Sequence, residues 1–184
     1  GLGIPAEPLF RSSYIVLVVG IVSIFSIGGK GYKKPIDTFY KAVEKQDIEI
    51  LRTALAQYWI DYQTADYDGD GFLGEHLEDI INDCYDDYGC GDSVKVSYRI
   101  TNVQKANKDE LASLKKNIYD WYAYYITDED KFNASVKDAV IVSVSQDVTG
   151  TEGSGTFTTR FLVIKENGKW KITVGYLDNS FYSN

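Results

Sequence analysis

The sequence predicts an α+β fold in which helices pack on one face of a curved antiparallel sheet, preceded by a single hydrophobic anchor segment. Between residues 35 and 125 most apolar side chains recur at helical spacing, whereas from residue 136 onward they alternate as in strands. The resulting order is three helices, a strand, a helix and three strands. Helices grouped ahead of an antiparallel meander are typical of α+β domains.

A chain of 184 residues with net charge −8 has room for one domain and a tail. We divide it into residues 1–34, a basic-flanked hydrophobic segment with a flexible linker, and residues 35–184, a domain with an acidic insertion at about 61–92. Residues 1–34 hold four basic residues and one acid, whereas no basic residue lies between Arg52 and Lys95. The negative charge is therefore concentrated in the insertion.

Residues 12–29 are eighteen uncharged residues, the lower limit for a helix across a hydrocarbon core of about 30 Å. Tyr14 and the lysines after Gly29 suit the two membrane interfaces. We therefore predict a membrane anchor through residues 12–29. The Val and Ile content also fits a long buried strand, and a cleaved signal peptide is a third interpretation. The lysines alone would place the following domain in the cytoplasm.

Three helices are predicted before the first strand. The first begins at Pro35, since proline favours a first helical turn, and its apolar face repeats at i, i+3, i+4 and i+7. That face comprises Ile36, Phe39, Tyr40 and Val43. The second helix is capped by Asp47, and the third follows a polar break and ends at Gly89.

The predicted sheet begins with a strand over residues 94–100, where apolar and polar side chains alternate. Asn107 followed by Glu110 resembles a capping box and starts a strong helix. Valines alternate in the second strand, and Asn167-Gly168 is a strong hairpin signal before the last strand.

Two stretches of the chain resemble the nuclear-transport-factor-2-like superfamily. They are P-I-D-T-F-Y-K-A-V-E-K-Q-D at the start of the domain and F-L-V-I-K-E-N-G-K-W-K-I near its end. The resemblance covers about residues 35–178 and is closest to membrane-tethered extracytoplasmic domains of Gram-positive bacteria. It implies a cone-shaped cavity between sheet and helices, which members use for catalysis, for ligand binding or for nothing known. The acidic loop at Asp66 is an insertion relative to this pattern.

Residues 66–75 read D-Y-D-G-D-G-F-L-G-E, the first half of an EF-hand loop. Ca²⁺ needs six or more oxygen ligands, and alternate carboxylates on a tight turn converge on one point. The predicted ligands are Asp66, Asp68, Asp70, the carbonyl of Phe72, and Glu75 or Glu78 as the closing acid. Leu77 occupies the usual closing position. We predict a structural calcium site, and the alternative is a solvated acidic turn before a helix.

Cys84 and Cys90 lie close together at the end of the third predicted helix. A disulfide between them would staple the helix end outside the cytoplasm, and the alternative is two thiols. Calcium loops and structural disulfides both favour an extracytoplasmic domain. We therefore predict that the domain lies on the outer side of the cell membrane, against the lysine count.

The composition excludes several classes of function. A sequence pI of about 4.7 argues against nucleic-acid binding, and one histidine with two cysteines excludes a zinc site built from those residues alone. His76, the single histidine, lies in the insertion, where we expect it to face solvent. Isomerase-like chemistry would need an Asp base and a Tyr donor in the cone. The candidates, which we expect to be core or rim residues, are Asp61, Tyr40, Tyr98 and Tyr176.

Three functions remain. The first is a non-catalytic, membrane-tethered domain that binds an unidentified small molecule or protein. The second is a small isomerase- or dehydratase-type enzyme that uses the cone. The third is a structural module that forms a homodimer through an exposed, aromatic sheet face.

Overall fold

The computed structural model describes residues 30–63 and 94–174. A 3₁₀ turn, Lys30–Tyr32, leads into the helices α1 (Lys33–Lys45), α2 (Ile48–Ala54) and α3 (Gln57–Gln63). After residue 94 follow β1 (Lys95–Lys105), α4 (Lys108–Tyr122), α5 (Glu129–Ser135), β2 (Val136–Gly150), β3 (Gly153–Glu166) and β4 (Lys169–Val174). The predicted α+β class is confirmed.

The predicted membrane anchor, residues 12–29, lies outside the described residues, as do the calcium loop, both cysteines, His76 and Tyr176. Within residues 30–63 and 94–174, no helix has the length and apolar character needed to cross a membrane.

Local side-chain caps begin two of the predicted helices. Asp47 caps α2 by accepting a hydrogen bond from the Ile50 amide at 3.0 Å. Asn107 accepts from the amides of Asp109 and Glu110, and the Glu110 carboxylate accepts from the Asn107 amide at 2.7 Å. The capping box is therefore confirmed, and it satisfies amides that a helix start leaves unpaired.

The sheet is a four-stranded antiparallel meander in the order β1-β2-β3-β4. Asn167 and Gly168, which join β3 to β4, have φ angles of 49° and 79°. A two-residue hairpin with both central φ angles positive matches the right-handed twist of its strands, so the predicted hairpin is confirmed.

Strands β2 and β3 are buried on both faces where residues 139–142 pair with residues 161–164. Neighbouring residues of a strand point to opposite faces, yet Ala139 to Val142 on β2 and the paired Phe161 to Ile164 on β3 are all buried. The chain must therefore cover both faces there, whereas the sequence predicted helices on one face only. The continuous apolar runs A-V-I-V and F-L-V-I are typical of such doubly covered strands.

Helix α1 covers the first face, which we define as the one carrying Tyr98, Gln146 and Phe161. The ring of Phe39 meets the ring of Phe161 at 5.1 Å between centroids, and Tyr40 stacks on Tyr98 at 4.2 Å. These contacts place the middle of α1 against β1 and β3.

Helices α3, α4 and α5 form a second group, centred on Tyr58 of α3. The Tyr58 ring lies 5.4 Å from that of Tyr122 on α4 and 5.7 Å from that of Phe132 on α5. Both α4 and α5 contact β2. Because the α1 rings occupy the first face, we assign this group to the second.

The chain passes from one helical group to the other along the edge of β4. Leu55 forms a parallel bridge with Ile172, and the Ala56 amide donates to the Ile172 carbonyl at 2.8 Å. This contact satisfies part of an edge that would otherwise present unpaired backbone groups.

Two of the described helices, α3 and α5, were not predicted from the sequence. Each has seven residues, too few for the repeated apolar spacing on which the prediction depended. In α5, Phe132 is the buried residue, and the Asp128 carboxylate caps the helix by accepting from the Lys131 amide at 2.9 Å. The cap was a usable sequence signal, since aspartate favours such a position.

Candidate functional site

The structure brings together two of the four candidate residues for isomerase-like chemistry. Tyr40 of α1 and Tyr98 of β1 stack with an interplanar angle of 14°. Asp61 lies elsewhere on α3, where its carboxylate accepts from the Gln57 side chain at 2.8 Å. An i, i+4 bond of this kind is a helix-surface contact, so Asp61 does not join the tyrosine pair.

Gln146 of β2 lies beside the tyrosines on the first face and was missed by the sequence analysis. It is the register partner of Tyr98, and the Tyr40 hydroxyl donates to its Oε1 at 2.7 Å. A signal was present, because Gln146 interrupts the buried valine alternation of β2 at a point where the next position, Val148, is again apolar. A polar side chain on a buried face is the informative exception to apolar burial.

The Gln146 amide is only half satisfied. The residue is 2% exposed, and among the described residues its buried Nε2 has no hydrogen-bond partner. Leaving a buried donor unpaired costs about 1–3 kcal/mol, so such groups are rare in folded proteins. The unpaired N–H₂ is therefore the feature of this face that most needs an explanation.

Asp37 of α1 completes the group by accepting a hydrogen bond from the Tyr98 hydroxyl. Asp37 is exposed, whereas Tyr98 is half-buried. Burial raises the pKa of Tyr98, and the bond to the nearby Asp37 carboxylate raises it further, since both disfavour a phenolate. The hydroxyl therefore stays protonated at neutral pH and acts as a donor. We call Asp37, Tyr40, Tyr98 and Gln146 the polar cluster.

A second buried hydroxyl pair lies in the other helical group. The hydroxyl groups of Tyr58 and Thr173 are hydrogen-bonded, and both residues are buried. Desolvation raises the pKa of Tyr58 well above its usual value of 10.0. Since each hydroxyl has its partner, this pair is explained by packing alone.

Neither a metal nor a cofactor is indicated by the described residues. Residues 30–63 and 94–174 contain no group of three or more His, Cys, Asp or Glu side chains placed to hold a metal ion. The predicted calcium ligands Asp66, Asp68, Asp70, Phe72, Glu75 and Glu78 lie outside these ranges, so the calcium site stays a prediction.

Comparison of the chain with protein-family models, curated proteins and solved structures found no match. The resemblance to the nuclear-transport-factor-2-like superfamily therefore depends on the sequence pattern alone.

Proposed function

We propose that this chain is a membrane-tethered, non-catalytic extracytoplasmic domain that binds a small neutral molecule at the polar cluster. The observation that supports binding is the buried Gln146 amide whose Nε2 has no described partner. A ligand oxygen that accepts from this N–H₂ would offset the cost of the unpaired donor, about 1–3 kcal/mol. The site is thus suited to a carbonyl or amide oxygen.

The other members of the polar cluster restrict the ligand further. Asp37 places a carboxylate at the exposed side of the group, so an anionic ligand would be repelled. The stacked rings of Tyr40 and Tyr98 offer apolar surface beside the amide. Binding in a cone-shaped cavity, as the family resemblance implies, is part of the same proposal.

The tether and the calcium loop are proposed on sequence grounds. Eighteen uncharged residues, 12–29, suit a membrane anchor, and the ligand set from Asp66 to Glu78 suits a structural Ca²⁺. A Cys84–Cys90 disulfide is consistent with the same extracytoplasmic location.

The enzyme alternative is favoured by one observation, the hydrogen bond between Tyr98 and Asp37, since an Asp–Tyr pair is used by isomerases. In this chain, however, the hydroxyl is already committed to the carboxylate, and the carboxylate is exposed. An isomerase needs the hydroxyl free to donate to a substrate oxygen and the Asp positioned as a separate base. Binding therefore explains the polar cluster better than catalysis.

The dimer alternative depended on an aromatic patch on an open sheet face. In the described residues the exposed large apolar side chains are Tyr62, Trp121 and Tyr124, all outside the sheet, and residues 139–142 and 161–164 are buried on both faces. A homodimer stays a prediction without support from these strands.

Amide NMR tests binding at the polar cluster. We expect millimolar N-methylacetamide and 2-pyrrolidinone to shift the side-chain amide resonances of Gln146, and acetate to shift them much less. Resonance assignment uses Gln146→Leu, which removes those peaks, and Gln104→Leu, which changes an exposed glutamine on β1, is the matched control. Probes that leave the Gln146 resonances unmoved, or that shift those of Gln104 equally, would contradict the proposal.

A further inference from the structure

Three tyrosine rings meet nearly at right angles where α3 lies beside the end of α4. The ring of Tyr125 lies 5.1 Å from that of Tyr124 and 5.8 Å from that of Tyr62, with interplanar angles of 77° and 84°. Tyr62 also packs edge-on against the buried ring of Tyr122, which connects the group to the core. We call Tyr62, Tyr124 and Tyr125 the aromatic corner.

The aromatic corner faces solvent. Tyr124 is 87% exposed, Tyr62 is 38% exposed and Tyr125 is half-buried. Together with Trp121 in the last turn of α4, Tyr62 and Tyr124 are the exposed large apolar side chains of the part of the chain that the structure describes. Single exposed apolar residues are ordinary, whereas exposed apolar residues gathered in one place mark a binding surface.

The surroundings of the aromatic corner are negatively charged. Helix α4 has no basic residue in its last turn, where the helix dipole places a partial negative charge. Residues 116–131, which include this end, hold four acids and two lysines, a net charge of −2. Lys116 donates to Asp120 at 2.5 Å and so offsets one acid only. On α3, Asp61 immediately precedes Tyr62 and adds a further negative charge. A cation is therefore attracted to this surface, and an anion is repelled.

Ring faces and dispersed carboxylates favour one kind of cation. The face of a tyrosine ring is negative, and it attracts a cation that lies within about 6 Å of the ring centroid. A corner between two perpendicular rings in contact lets one cation lie that close to both. A hard metal ion instead needs converging oxygen ligands, and residues 30–63 and 94–174 contain no group of three or more His, Cys, Asp or Glu side chains placed to supply them. A quaternary ammonium group, which aromatic rings bind without oxygen ligands, fits this surface.

We propose that the aromatic corner binds a quaternary ammonium cation of the choline type. The trimethylammonium group lies against the rings of Tyr124 and Tyr125, and the surrounding acids attract it over a longer range. Because these surroundings are negative, the ligand carries a net positive charge, so a phosphate on it weakens binding. The site is separate from the polar cluster, whose proposed ligand is neutral.

Saturation-transfer NMR with the whole chain tests the choice of cation. We expect irradiation of the protein to saturate the N-methyl protons of millimolar choline. The matched control ligand is 3,3-dimethylbutanol, which has the shape of choline without its charge and should bind about fivefold more weakly. Phosphocholine should also bind more weakly than choline. Choline that receives no saturation, or that binds no more tightly than its neutral analogue, would overturn the proposal.

Ring variants locate the site. Tyr124→Leu removes the most exposed ring of the aromatic corner and should weaken choline binding about fivefold, whereas Tyr124→Phe keeps the ring and should retain most of the affinity. Tyr119→Leu, which changes a half-buried tyrosine of the same helix outside the aromatic corner, should leave binding unchanged. All three variants should melt within a few degrees of the wild-type chain. A Tyr124→Leu chain that binds choline as tightly as the wild-type chain would overturn the assignment.

Charge variants test the contribution of the acids. Asp120→Asn/Asp130→Asn makes this end of α4 less negative and should weaken choline binding about twofold, with no effect on the neutral analogue. Asp109→Asn/Glu152→Gln removes two exposed acids at the opposite end of α4 and in the turn between β2 and β3, and it should keep the affinity. Equal weakening by both variants would overturn the local attraction, since the overall charge of the chain would then account for the binding.

Discussion

At the residue scale, the polar cluster is assembled by contacts that no local pattern encodes. The Tyr40–Gln146 bond joins residues 106 positions apart, and the Tyr98–Asp37 bond joins residues 61 positions apart. The sequence predicted Tyr40 and Tyr98 as core or rim residues, because their spacing determines which face they occupy. It did not predict their partners, since side-chain pairing across elements depends on the sheet register and on where α1 crosses it.

A double-mutant cycle tests the Tyr40–Gln146 bond. Tyr40→Phe removes the donor to Oε1 and leaves more of a buried amide unpaired, so we expect it to lower the free energy of unfolding by about 1–3 kcal/mol. Combining it with Gln146→Leu removes both polar partners, and the double variant should lose less than the sum of the single changes. Urea unfolding measures all four proteins. Strict additivity would show that the bond contributes nothing.

A second prediction at the residue scale concerns the stability cost of a side chain at Gly31. A methyl group there would meet the Trp170 indole at 2.8 Å, so Gly31→Ala must displace the ring. We expect a loss of about 1–3 kcal/mol in the free energy of unfolding, as for other overpacked positions. Trp170→Leu removes the clash, so the added cost of Gly31→Ala in that background should fall to a few tenths of a kcal/mol. An equal cost in both backgrounds would show that the indole is not responsible.

At the element scale, the best predictions were those with a local cause. The Asp47 cap, the Asn107–Glu110 capping box and the Asn167-Gly168 hairpin each depend on two to four neighbouring residues, and the structure confirms all three. Helices α3 and α5 were missed because most of what stabilises a seven-residue helix comes from tertiary packing.

The calcium loop is the element whose prediction remains to be tested. Isothermal titration with the whole chain should show one Ca²⁺ bound at millimolar concentration or below, with a raised melting temperature. Asp68→Ala removes a predicted ligand and should abolish both effects, whereas Asp87→Ala, which lies in the same acidic stretch but outside the loop, should keep them. Heat and stabilisation that survive in Asp68→Ala would indicate non-specific counter-ion binding.

At the scale of the whole molecule, the main departure from prediction is that the sheet centre is covered on both faces. Helices grouped ahead of an antiparallel meander led us to expect one covered face, and the alternating burial of β1 fits that expectation. The continuous apolar runs of β2 and β3 are typical of strands covered on both faces. A short apolar run, however, fits a buried helix as well as a buried strand. The passage of the chain along the edge of β4 then places α1 and the Tyr58 group in separate layers.

The helical group centred on Tyr58 buries Tyr58 and Tyr122, and their burial predicts how the stability of the fold depends on pH. Burial raises the pKa of Tyr58 and of Tyr122 above the value of about 10 that they have in the unfolded chain. A group with a raised folded-state pKa stabilises the fold fully below its unfolded pKa, and the contribution is lost as the pH rises above it. The free energy of unfolding should therefore fall above pH 10, by about 1.4 kcal/mol per pH unit for each such tyrosine.

Tyr58→Phe tests this pH dependence. It should reduce the slope by the contribution of one tyrosine, about 1.4 kcal/mol per pH unit. Tyr124→Phe, at a position 87% exposed, should not change the slope. Urea titrations between pH 8 and 11 measure the slope, which separates this effect from the loss of the Tyr58–Thr173 bond, since that loss lowers stability equally at every pH below 10. A slope in Tyr58→Phe equal to that of the wild-type chain would mean that the buried hydroxyl does not control alkaline unfolding.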